Sequence, residues 1–333
     1  MRKWKELTAF ILFGALLLGF LGWASDLLTP TRHNFGATWG SFLEEDRDTI
    51  DVMFFGSSVV YCDVAPAVYW DRCGLTAYVN AGPEQTMAIT LDYIRQSLKT
   101  QSPKVIFVEC SGLCFRKYQQ HTKGNITQMP WGLPRLDATL RAAEPELRTG
   151  LLFPLTFYHD RWDALTEDDD TPNAPDPLAG FTWMGEYGDE RPEDGVEITP
   201  SAENWERNLQ SLDKICALCQ RKGIELVLFR AAGKRLRDAD WQEVTARYAT
   251  QSNVHTLDCW AYTDEIGANA PEDYYDFLHY NAAGAEKFSR FLAAWTQEQL
   301  RIEPNPDADA ALWRERVTYF YDRLQTPMTL KNE

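Results

Sequence analysis

Five short apolar runs, set between stretches of helical periodicity, constrain this chain more than any other feature. They are "IDVMFFG" (50–56), "LTAYVNAG" (75–82), "PKVIFVEC" (103–110), "IELVLFR" (224–230) and "NVHTLDC" (253–259). The first, rich in β-branched and aromatic residues and closed by Gly56, reads as a buried strand, and the other four read as further strands. Residues 85–101 place Met87, Ile89, Leu91, Ile94 and Leu98 at helical spacing. A second helix, 201–223, opens on Ser201 and closes on Gly223, residue types suited to a helix start and stop. Residues 238–251 and 281–299 read as further helices. Strands alternating with helices predict an α/β fold, a three-layer parallel sheet flanked by helices. In such sheets functional groups collect at the carboxyl ends of the strands.

A long stretch, 111–199, interrupts the alternation and reads as an irregular insertion over one end of the sheet, a lid or a partner surface. From Asp163 to Glu197 it holds twelve acidic residues against the single base Arg191, with Pro172, Pro175, Pro177 and Pro192 among them. That composition predicts a solvated, partly disordered segment. Its run "TEDDDTPNAPD" lacks the glycine and terminal glutamate of an EF-hand loop, and no metal is assigned to it. The segment "AALWRERVTYFYDRL" (310–324), within a tail of residues 301–333, reads as a peripheral helix.

The first 24 residues are set apart. Arg2, Lys3 and Lys5 precede an uncharged apolar run from Leu7 to Ala24, with Trp4 and Trp23 at its two ends. That length is near the minimum for a helix crossing a hydrocarbon core of ~30 Å, and tryptophans favour its two interfaces. The basic end is expected to stay in the cytoplasm, which puts residues 25–333 outside as a single-pass membrane protein. A cleaved leader is the alternative, since Gly22-Trp23-Ala24 has small residues at suitable spacing. A formal net charge of −16 makes nucleic acid a poor partner for the body. Seven cysteines cannot all pair within one chain, and Cys216-x-x-Cys219 lies in a helical stretch where core packing is the expected role. No glycine-rich nucleotide loop opens a helix, so no cofactor is expected.

Chemistry enters with "DFLHYNAAGAEKFSRFLAAW" (276–295), where Asp276 and His279 precede the last helix of the alternating pattern. Alone, the pair also reads as a helix-start acid beside an incidental histidine. Directly after the first strand comes "FFGSSVVYCDVAP" (54–66). There Gly56 permits a tight turn and Ser58 falls at the carboxyl end of the strand. Gly-Ser-Ser is also a common strand-ending turn. A serine hydroxyl needs a base such as His279, oriented by a carboxylate such as Asp276, to act as a nucleophile. The oxyanion formed on attack needs fixed donors, and the backbone N–H of Gly82, closing the second strand, is a candidate.

In this order on this pattern, the residues resemble the SGNH, or GDSL-like, hydrolase superfamily, whose fold is flavodoxin-like. The resemblance covers roughly residues 50–110 and 201–299. It implies Ser58 as nucleophile, Gly82 as oxyanion glycine, and Asp276 and His279 as orienting acid and base. The family's usual Gly-Asp-Ser stands here as Gly56-Ser57-Ser58, and "VECSG" puts Glu109 or Ser111 where the family carries an asparagine. Asn125 lies well inside the insertion. Together with the N-terminal apolar run, the Gly-Ser-Ser block resembles the membrane-anchored accessory proteins of surface-polymer acylation, of the D-alanyl transfer and alginate O-acetylation types. That likeness implies transfer or hydrolysis of an acyl ester on a cell-surface polysaccharide through an acyl-Ser58 intermediate, beside a membrane-bound O-acyltransferase. A secreted carbohydrate esterase or deacetylase, and an inert glycan-binding surface protein, are the alternatives.

Overall fold

The computed structural model describes residues 2–30, 39–117, 119–166, 169, 173–188, 196–231 and 234–331. Pro172, Arg191, Pro192 and most acids of the "TEDDD" run lie outside the described residues, as does much of the stretch expected to be partly disordered. Five strands form one parallel sheet: β1 (Val52–Phe55), β2 (Ala77–Val79), β3 (Val105–Glu109), β4 (Glu225–Arg230) and β5 (Val254–Asp258). Their spatial order is 2-1-3-4-5. All five fall inside the runs expected from the sequence.

Side chains alternate across the sheet and both faces are covered. Met53, Phe55, Ile106, Val108, Leu226 and Leu228 enter one apolar cluster, and Val52, Phe54, Val105, Phe107, Val227 and Phe229 enter the other. Period-2 alternation sends neighbouring residues to opposite faces, so a strand apolar throughout needs a helical layer on each side. The chain therefore builds three layers. The N-terminal helix, α1 (Arg2–Leu28), precedes them and is long and apolar enough to cross a membrane. After β1 come a single-turn helix, α2 (Ser58–Tyr61), and α3 (Pro66–Cys73). Then follow α4 (Met87–Ser97), α5 (Ala202–Lys222), α6 (Asp238–Tyr248), α7 (Ala282–Leu300) and α8 (Ala310–Leu324). Residues of α4, α5 and α6 fill the first cluster, and residues of α3, α7 and α8 the second.

Three features depart from the sequence reading. The insertion is not irregular throughout. It forms short helices at Gln119–Thr127, Leu133–Asp137, Arg148–Leu152 and Leu155–Tyr158. The helix α3 is additional, started by Pro66 and stopped by Gly74 in the left-handed conformation at φ 72°. The helix α8 is not peripheral. Trp313 and Phe320 are buried, and Arg316, also buried, pairs with Glu45 through two hydrogen bonds, one of them 3.1 Å long. Arg316 further donates from Nε to the Asp176 carbonyl at 3.0 Å, which ties the end of the insertion to the C-terminal helix. All seven cysteines are unpaired, and Cys216 and Cys219 point into the core from α5.

Candidate active site

The site begins where β1 ends. Gly56 has φ 154°, and a Cβ on it would stand 2.7 Å from both Glu109 Cβ and Val60 Cγ2. Only glycine lets the chain turn so close to β3. The turn splits the two serines. Ser57 is fully buried, its hydroxyl 3.4 Å from Glu109 Oε2 and 3.3 Å from Ser111 Oγ. Ser58, the first residue of α2, is half-buried and reaches the surface. The strand order places it well, because β1 lies between β2 and β3, the switch point where a doubly wound sheet opens a crevice.

The histidine arrives from the other end of the chain. Residues 274–280 form a tight antiparallel turn, with a bridge between Tyr274 and Tyr280 and the Tyr275 N–H donating to the His279 carbonyl at 2.9 Å. Asp276 is on that turn, and its Oδ1 accepts the backbone N–H groups of Leu278 at 2.7 Å and His279 at 2.9 Å. Both of its carboxylate oxygens lie 3.0 Å from His279 Nδ1. On the far side of the ring, His279 Nε2 lies 2.8 Å from Ser58 Oγ. Burial alone would raise the Asp276 carboxyl, but the hydrogen bond and charge of His279 and the two backbone N–H groups outweigh it and hold the group below the usual carboxylate range. Asp276 is thus held ionised, with its lone pairs aimed at the imidazole. It is not a helix-start acid: the cap of α7 is Asn281, whose Oδ1 accepts from Ala283 and Gly284.

The packing of α3 against α7 explains how residues 221 positions apart meet. Ser289 Oγ on α7 accepts the Ala65 N–H at 2.7 Å, and Tyr69 on α3 donates to the Leu292 carbonyl at 3.0 Å. One level nearer the site, Asp63 Oδ1 accepts the Tyr280 N–H at 3.0 Å. A strap from the end of the insertion crosses all three elements. The Val79 N–H donates to the Ala179 carbonyl at 3.0 Å, the Thr182 N–H to Tyr61 at 2.7 Å, and the Ala282 N–H to Met184 at 2.9 Å. The strap holds β2, the end of α2 and the start of α7 in one register.

Gly82 stands beside the serine turn, but its N–H is not free. The β1–β2 ladder runs on past the strands, with Asn80 N–H donating to Phe54 at 2.8 Å and Gly82 N–H to Gly56 at 3.2 Å. The oxyanion donor expected from Gly82 is therefore engaged by the Gly56 carbonyl. What the sequence reading missed is Asn125. The helix Gln119–Thr127 folds the insertion back so that Asn125, buried, donates from Nδ2 to the Pro83 carbonyl at 3.0 Å, with its Oδ1 against Gly82. A Cβ on Gly82 would lie 2.2 Å from that oxygen, which explains the glycine better than any demand of backbone angle. Tyr93 on α4 fixes the helix by donating to the Asn125 carbonyl at 2.7 Å. Nothing in the local sequence, an asparagine in a polar helix, marks it.

Where the third strand ends, Glu109 and Ser111 turn beneath the serine turn and away from the surface. Glu109 Oε1 accepts the Ser111 N–H at 2.7 Å, and its Oε2 is the acceptor for both serine hydroxyls, Ser111 and Ser57. They brace the turn from below. No family model matches this chain, and no curated protein matches it.

Proposed function

We propose that the protein is an extracytoplasmic serine acyl-ester hydrolase or transferase, of the SGNH type, held at the membrane by α1 and acting on esters of a cell-surface polymer. One observation carries this reading: the unbroken relay Asp276–His279–Ser58, at 3.0 Å and 2.8 Å, at the carboxyl edge of a parallel sheet. A serine turned to solvent, a base within hydrogen-bond reach and an acid fixing that base are what nucleophilic acyl chemistry requires.

In this reading Ser58 Oγ attacks the ester carbonyl carbon while His279 Nε2 takes its proton. The carbonyl oxygen becomes an oxyanion. Its collapse breaks the ester bond, the leaving alkoxide takes the proton from His279, and the acyl group stays on Ser58. A second hydroxyl, from a sugar or from water, then gives its proton to His279 and attacks the acyl carbon; the bond to Ser58 Oγ breaks and Ser58 takes the proton back from His279. This reading assigns the oxyanion to the Ser58 N–H and to the Asn125 amide beside Gly82; like the Gly82 N–H, the amide is engaged, holding the Pro83 carbonyl at 3.0 Å, and would have to leave it. The helix α1 and the basic residues in its first turns support an anchored, outward-facing body.

The test is covalent labelling of the full-length chain with a fluorophosphonate in detergent. Ser58 is expected to be labelled and Ser57 not, with labelling lost in Ser58→Ala and strongly reduced in His279→Ala and Asp276→Asn. Equal labelling of wild type and Ser58→Ala, or none in a folded wild type, would reject the reading.

A further inference from the structure

The insertion carries a feature that the relay does not use. Outside α1, ten large apolar side chains among the described residues are exposed, and six of them come from residues 131–162. Leu133 is 79% exposed, Phe153 63% and Trp131 53%. Single exposed apolar residues are ordinary, whereas a cluster marks a surface that meets something. Leu133, Leu136 and Leu140 recur at i, i+3 and i+7 along the helical run 133–142 and make one stripe.

The position of this cluster relative to α1 says what it meets. Trp131 and Phe153 line one cleft of 810 Å³ together with Leu18, Leu21 and Gly22 of α1. Arg161 Nη1 donates to the Leu28 carbonyl at 2.8 Å and fixes the insertion to the end of that helix. With Trp23 at the water interface, Leu18 is five residues deeper, about 7 Å along a helix rising 1.5 Å per residue. Side chains packed beside Leu18 and Leu21 therefore sit at the depth where amphipathic segments rest among headgroups and upper acyl chains, about 5–10 Å. The charge does not oppose it. Residues 131–162 hold four Arg against four Asp and Glu, a neutral segment in a chain of net charge −16.

We infer that residues 131–162 form a second membrane contact, an interfacial foot that rests on the lipid bilayer beside α1 and fixes the orientation of the α/β body above it. This rests on reading α1 as a membrane span. The full-length chain, with half-buried Cys73 replaced by serine, is placed in phosphatidylcholine–phosphatidylglycerol vesicles. Nitroxides are attached at Leu133→Cys and Phe153→Cys, at Leu12→Cys within α1, and at exposed Gln242→Cys on α6. Collision with oxygen, which concentrates in lipid, is compared with collision with a water-soluble nickel chelate. Labels at 133 and 153 are expected to favour oxygen several-fold over the label at 242, while the label at 12 favours it more strongly still. A lipid-like label at 12 with water-like labels at 133 and 153 overturns the foot and leaves the span standing. Water-like labels at all sites overturn both. Labels at 133 and 153 shielded from both reagents mean that protein covers the face, and overturn the proposal too.

Discussion

Asp63 shows how one buried carboxyl links the two halves of the site. It is almost without exposure, it follows the helix that starts at Ser58, and it holds the backbone of the residue after His279. Burial raises its pKa well above the usual carboxylate range, the nearby Asp276 and Glu109 carboxylates add to this, and the Tyr280 N–H only partly offsets it. In the window above about pH 4, the unfolded value, the folded chain keeps a proton on Asp63 that the unfolded chain has lost. Stability from this group is therefore fully present below that pH and drains away as pH rises. Asp63→Asn keeps the acceptor and removes the titration. Its melting temperature, compared with wild type by scanning fluorimetry at pH 5, 6.5 and 8, is expected to gain on wild type at each step. A constant difference across the three would show that Asp63 does not titrate in this way.

Asn125 belongs to the same scale. If its amide stabilises the oxyanion, Asn125→Asp, nearly the same shape, replaces the amide donor by an acceptor and should slow acylation of Ser58 by about 10²–10³. The measurement is the second-order rate of fluorophosphonate labelling, with the melting temperature as a check on folding. An unchanged rate would assign Asn125 to packing against Gly82 alone. Ser58, Asp276 and His279 were legible because the relay uses residue types that stand out in short motifs. Asn125 was not, because a long-range contact made by a loop insertion leaves no periodic trace.

At the scale of elements, the strands were read within three residues of their limits, since a buried parallel strand has few ways to look unlike itself. The helix α3 escaped notice because its eight residues span barely two turns, too short for periodicity to register. The insertion misled for a related reason. Its helix Gln119–Thr127 is held by contacts such as Tyr93 to Asn125, not by its own propensity, and the end of the insertion is tied down by Arg316 to Asp176. The helix α8 had a strong apolar stripe, yet a sequence does not say what the stripe meets. Its buried ion pair with Glu45 gives a direct check. Arg316→Ala strands a buried carboxylate and should cost about 3–5 kcal/mol of stability, whereas Arg316→Met with Glu45→Leu should recover most of that. Denaturant unfolding of the three proteins decides it. A single variant no less stable than the double would mean that α8 is dispensable.

For the whole molecule, the order 2-1-3-4-5 is what turns two distant motifs into one site. The first strand lies between β2 and β3, so the loop after it opens at the switch point, and α7 returns across the adjacent face to bring His279 over it. The price of that design is a gap of 221 residues between Ser58 and His279. A chain made at about 5–20 residues per second finishes Ser58 on the order of ten to forty seconds before its base exists. Until residue 279 is added, the growing polypeptide carries Ser58 without the base that the proposed chemistry needs. A product ended by a premature stop between residues 59 and 279 holds the serine and, in the proposed reading, none of its reactivity. Competence in that reading comes on only after every strand between the two motifs has been made.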